Sequence, residues 1–120
     1  MATFWAMLNG DEEIGTTLHY IRDKGIDTGD VIAIDTLTVD YSGSYLHNLL
    51  KLYDKGVARM VAAVNRIDQR IPLATEAQSD AGGCYYTFPT EQQCQAFKDK
   101  GLSLFEFDEI VELARQFRPE

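Results

Sequence analysis

The chain has 120 residues, enough for one domain and not for a second full one. Apolar residues make up 45% and charged residues 25%, the proportions of a globular chain and not of a disordered one. Lys and Arg number 11 against 19 Asp and Glu, so the formal charge of −8 disfavours nucleic acid and anionic membrane surfaces as partners.

No apolar run approaches the roughly 18–20 residues that cross a bilayer. Residues 1–8 lack the positive stretch that opens a signal peptide. The expected setting is cytoplasmic, where Cys84 and Cys94 stay reduced. Their spacing of ten matches no metal motif, and His19 and His47 form no paired motif, so no metal site is expected.

In chain order, residues 2–9 set Phe4, Trp5 and Leu8 at helical spacing and stop at Asn9-Gly10. They predict a short helix that needs packing to persist. Residues 15–21, rich in β-branched and aromatic side chains, predict a strand. Residues 31–39 predict another, with its first four residues apolar on both faces and its end alternating. That pattern predicts burial at the start and half-exposure at the end. The connection over 22–30 is too short for a crossover helix, so the pair is antiparallel.

Residues 44–68 predict a long amphipathic helix. Tyr45, Leu46, Leu49, Leu50, Tyr53, Val57, Met60, Val61, Val64 and Ile67 fall on one apolar stripe. Ser42 or Ser44 is the expected N-cap. Gly56 marks close packing or a bend, and Pro72 bars continuation. Residues 73–83 read as a polar loop and 84–88 as a short third strand. Thr90-Glu91-Gln92-Gln93 fits a capping box, so a helix starts at Thr90 and ends at Gly101. A last helix is expected over 108–117, with Ile110, Leu113, Ala114 and Phe117 inward. The expected fold class is α+β: an antiparallel hairpin and a short third strand packed on one long amphipathic helix, with two short C-terminal helices.

The segment from Trp5 reads Trp-Ala-Met-Leu-Asn-Gly-Asp-Glu-Glu-Ile-Gly-Thr-Thr-Leu-His-Tyr-Ile, and Gly-Ile-Asp-Thr-Gly-Asp-Val-Ile follows. This resembles the folate-dependent formyltransferase family, which includes the methionyl-tRNA, glycinamide ribonucleotide and sugar N-formyltransferases. The resemblance extends over nearly the whole chain and is most specific over residues 5–32. It implies that Asp27 is the carboxylate of the family's active-site loop, that His19, Thr28 and Gly29 belong to the binding region, and that 10-formyltetrahydrofolate is the family's cofactor. In the family an Asn and a His of an Asn-x-His-Pro-Ser-Leu-Leu-Pro motif supply oxyanion donors, and the carboxylate helps move the amine's proton.

That motif does not occur in these 120 residues. By the resemblance the chain is expected to be the C-terminal half of a formyltransferase catalytic domain with a truncated formyltransferase-like fold. It would be a single half-domain, with helix and hairpin over 1–40, the long helix over 41–70 and a C-terminal extension over 71–120. The isolated chain is then expected to bind no cofactor and to act as a small self-associating binding or scaffold module. The alternative is half of an enzyme, transferring a formyl group to an amino sugar or aminoacyl-tRNA when an N-terminal half complements it. A homodimer is expected, because residues 31–34 are apolar on both faces and Phe4 and Trp5 have no obvious cover.

Each singled-out residue also has a plainer reading. Asp27 suits a turn, since its side chain can bond local amides. Asp27 and Asp30 are too few oxygen ligands for Mg²⁺. His19 can be a hydrogen-bonded strand residue. Tyr85, Tyr86 and Phe88 can cradle a ring or form a core strand with one wet face. The run Asp11-Glu12-Glu13 reads as a solvated turn. The Asp-Thr-Gly-Asp turn is expected to need a positive φ at Gly29.

Overall fold

The computed structural model describes residues 1–22, 24–25, 27–78 and 85–116. The first element, α1 (Ala2–Asn9), stops where Gly10 turns left-handed and its N–H donates to the carbonyls of Ala6 and Met7. Thr3, Phe4 and Met7 are buried, whereas Trp5 and Leu8 are half-buried. β1 (Glu13–His19) and β2 (Val31–Thr38) form a two-stranded antiparallel sheet, and α2 (Tyr45–Asp68), α3 (Glu91–Asp99) and α4 (Phe107–Gln116) follow. The α+β class is as expected; β1 begins two residues earlier than its composition suggests.

The chain divides into two compact units. One comprises Met1–Ile14, Thr38–Lys51 and Tyr86–Glu120, the other Gly15–Leu37 and Leu52–Tyr85. In the first unit the fully buried rings of Phe4 and Phe97 stack with centroids 4.6 Å apart, and Trp5 and Tyr45 meet Phe4 edge-on. Trp5 also stacks on Tyr86 and donates its indole N–H to the Thr87 carbonyl at 3.0 Å. Phe4 and Trp5 therefore have cover inside the chain, contrary to the expectation. The same contacts replace the predicted third strand. Residues 85–88 form no ladder: the Tyr86 ring stacks on Trp5 and the Thr87 carbonyl accepts the indole N–H and not a strand's N–H; Cys84 lies outside the described residues.

Ser44 is the cap of α2: its hydroxyl accepts the His47 N–H at 3.0 Å and donates to Glu109 of α4 at 2.6 Å. The N–H groups of Tyr45 and Leu46, left over at a helix start, donate to the carbonyls of Ser103 and Leu104. The buried Asn48 donates to the carbonyls of Asp40 and Ser44 and accepts the Asp40 N–H. The capping box at Thr90 and Gln93 forms as predicted, and Gly101 turns left-handed after α3. The apolar residues of α4 are not inward. None of its residues is buried, Ile110 and Ala114 are exposed, and Phe117 lies outside the described residues. Glu109 ties the helix down instead, accepting from Ser44 and from the Glu106 N–H.

The Asp40 carboxylate accepts the Ser42 hydroxyl at 2.6 Å and the Ser42 N–H at 3.1 Å, with His47 Nε2 at 3.0 Å and Lys51 Nζ at 3.6 Å. The Ser42 hydroxyl, then His47, hold its pKa at about 2. A folded pKa below the unfolded value of about 3.9 stabilises the fold above that value, and the gain is lost as pH falls toward 2. Asp40→Asn should therefore lower the urea midpoint at neutral pH, and the gap from wild type should close between pH ~4 and ~2. A gap that stays constant across that window would contradict the assignment.

In the second unit α2 lies close on the hairpin. A Cβ added to Gly56 would stand 3.2 Å from the Thr16 hydroxyl, so Gly56 marks close packing. Arg59 grips Asp35 through two bonds of 2.6 and 2.9 Å, which lowers the Asp35 pKa. Leu52 and Ala63 are buried, but Tyr53, Val57, Met60, Val61, Val64 and Ile67 are more than half exposed. Gly56 and Ala63 thus lie on the side toward the sheet, and the large apolar stripe, about a quarter-turn round the helix from them, is left uncovered. The start of β2 is only half-buried and Ile34 is 63% exposed, against expectation, because one helix layer covers one face of a two-stranded sheet. Beyond β2, Val31 pairs with Glu76 through a single antiparallel bridge. α2 ends before Pro72 can act: Arg70 is left-handed at φ 57°, and the Ile71 N–H donates to the Arg66 carbonyl at 2.8 Å.

Candidate functional site

The loop between the strands is closed by the Tyr20 N–H, which donates to the Asp30 carbonyl at 3.0 Å. Inside it Asp27 adopts φ 57°, a left-handed conformation that Asp tolerates better than most residues. This turn brings the Asp27 Oδ1 to 3.2 Å from His19 Nε2 at the end of β1. The other ring nitrogen, Nδ1, lies 3.1 Å from the Tyr20 carbonyl oxygen. Both nitrogens face acceptors, and both donate together only from the doubly protonated ring. The Asp27 side chain is 81% exposed and that of His19 20%, so the carboxylate is open to solvent and the ring is largely covered.

One side chain from far along the chain holds the loop. The Gln78 amide donates to the carbonyls of Asp27 at 2.9 Å and Gly29 at 2.5 Å. Arg22 pairs with Asp30 at 2.8 Å and stands over the Tyr20 ring at 5.2 Å. Asp30 is thus engaged by Arg22, so the two loop acids do not serve as a pair. Gly29 is buried, and its φ lies outside the positive range, so the expected left-handed turn there is wrong. Its need for glycine has another cause: a Cβ would fall on the carbonyl of Tyr20. A cavity of about 220 Å³ opens between His19, Tyr20, Arg22, Asp27, Thr28 and Gly29.

The structure therefore joins His19 and Asp27 directly and sets Thr28 and Gly29 beside them. Sequence reasoning missed Gln78, which stands 51 residues from Asp27 in what reads as a plain polar loop and carries no local signal. Ile26, also in this loop, lies outside the described residues. Among the described residues no group of three His, Cys, Asp or Glu side chains could hold a metal ion.

The chain is 31% identical over 83 residues to the methionyl-tRNA formyltransferase of Clostridium tetani, across 68% of this chain and 26% of that enzyme. It is 34% identical over 83 residues to that of Desulforamulus reducens, across 61% of this chain and 25% of the enzyme. Its fold matches an N-formyltransferase from Helicobacter canadensis, solved with folinic acid and dTDP-3-aminofucose. There the TM-score is 0.61 at 24% identity, over 70% of this chain and 30% of the other. The chain is a partial formyltransferase-like domain. WlaRD, a sugar 3N-formyl transferase solved with dTDP and 5-N-formyl-THF, matches with a TM-score of 0.60, also at 24% identity and over the same shares. No protein-family model matches the sequence. The formyltransferase-like domain spans about a quarter of the length of the curated relatives it matches. None of its described helices is long and apolar enough to cross a membrane.

Proposed function

We propose that this domain carries the proton-accepting carboxylate of a formyl-transfer site and does not transfer a formyl group by itself. The contact between His19 Nε2 and Asp27 Oδ1 carries the reading, because it holds an otherwise solvent-exposed carboxylate in one place. An amine seated in the cavity can set its N–H against the free face of that carboxylate, which accepts the proton as the nitrogen attacks. His19 acts as a positioning residue.

The cavity limits what the domain holds alone. Its volume of about 220 Å³ is below the roughly 300–1,000 Å³ of small-molecule sites. It takes the head of an amine and not 10-formyltetrahydrofolate, so the residues present do not by themselves fit that cofactor. The Asn-x-His-Pro-Ser-Leu-Leu-Pro motif is absent from the sequence. Losing even one oxyanion donor costs about 100- to 1,000-fold in turnover. A segment that bears that motif would supply both the donors and the remaining walls. The second reading is a binding module with no transfer, which the small cavity also favours. A reducing, cytoplasmic setting fits either reading, and Cys94 is a free thiol.

The test is a formyl-transfer assay with 10-formyltetrahydrofolate and two acceptors, an amino sugar nucleotide and methionyl-tRNA. The purified chain alone should give no product. Adding the N-terminal part of a methionyl-tRNA formyltransferase, which bears the motif, should restore transfer, and Asp27→Asn should abolish it again. Turnover by the chain alone that Asp27→Asn removes would overturn the proposal. No transfer in the mixture, with amine binding retained in calorimetry, would leave only the binding module.

A further inference from the structure

We propose that the exposed apolar stripe of α2 is a seam on which a second copy of this chain docks, and this does not rest on the reading of the Asp27 loop. The stripe consists of Tyr53, Val57, Met60, Val64, Ile67 and, just past the helix end, Ile71. Their side chains are 42–61% exposed. Within the helix, from Tyr53 to Ile67, the steps alternate as 4, 3, 4, 3. That is the 3.5-residue repeat with which one helix fits another of the same kind. The hairpin packs on the adjacent side of the helix, where Gly56 meets Thr16 and Arg59 holds Asp35, and the seam is left exposed.

A self-complementary seam needs only one sequence, and a two-fold axis closes it. From Tyr53 to Ile67 the seam runs about 21 Å along the helix. At roughly 100 Å² of accessible side chain each, its residues would bury on the order of 1,200 Å² over two copies, the lower bound for a stable specific interface. A lipid surface fits poorly. Anionic lipid attracts interfacial helices through positive charge, and it repels a chain of formal charge −8. No charged residue interrupts the stripe itself.

Size exclusion with light scattering, over tens to hundreds of micromolar, should give twice the chain mass of 13.5 kDa. Val64→Asp should raise the dissociation constant at least tenfold with unchanged far-UV circular dichroism, because Val64 is 57% exposed in the single chain. Phe105→Asp, at an exposed apolar residue that is not part of the stripe, should leave the dimer intact. Hydrogen exchange across residues 53–67 needs no variant, and it should slow as concentration rises. A mass of 13.5 kDa throughout would overturn the proposal. So would a dimer that Val64→Asp does not weaken, or a monomer whose α2 is protected only by an added N-terminal formyltransferase segment.

Discussion

Phe97→Ala is expected to destabilise the fold by about 3–5 kcal/mol, the usual cost of emptying a buried aromatic site. Phe97 has no accessible surface and lies flat on Phe4, which has none either. Trp5 and Tyr45 close the cluster around Phe4. The described buried apolar residues of that unit are Phe4, Met7, Ile14, Val39 and Phe97, so one ring is a large share of the core. Native domains hold only about 5–15 kcal/mol in total, so the variant should sit near its limit. Phe97→Leu keeps most of the volume and should lose less than half as much. Urea unfolding with unchanged slope is the measurement. A loss for Phe97→Ala under about 1 kcal/mol would mean that this stack does not hold α3.

Gly29→Ala should cost about 1–3 kcal/mol and disorder the candidate site, although it adds a single methyl group. The added carbon would fall on the Tyr20 carbonyl, a backbone group that cannot swing away as a side chain can. That carbonyl is also the partner of His19 Nδ1, and the Tyr20 N–H closes the loop to Asp30. Moving it therefore pulls on His19, on the loop closure and on the Gly29 carbonyl that Gln78 holds. The His19 ring signals in NMR should shift, and amide exchange at Tyr20 should rise. Gly15→Ala is the control, because its Cβ would stand 3.4 Å from the Asp35 carbonyl and needs little adjustment. Equal effects at the two positions would refute the role given to Tyr20.

The distinction between these glycines could not be read from the chain. Asp27-Thr28-Gly29 suggests a left-handed glycine, yet the left-handed residue is Asp27, and Gly29 is required by a close approach from across the loop. Gln78 is the same case. An amide donor 49 residues from Gly29 has no local signature, because only the chain path brings it there.

The parts legible from sequence are those governed by neighbours in the chain. Asn9-Gly10 ended α1, Thr90 and Gln93 opened α3, and the apolar repeat announced the long helix α2. His19 and Asp27 stand 3.2 Å apart, a contact made by the left-handed turn at Asp27. Periodicity could not say which side of α2 turns inward. Gly56 and Ala63 let the helix approach the hairpin closely, and Arg59 gripping Asp35 fixes its rotation, so the larger apolar stripe is left outside. The sequence by itself determined where α1 ends and where α3 begins and ends, because caps and turns act over three or four residues. Only the tertiary structure decided which faces are covered, because burial depends on what a distant segment presents.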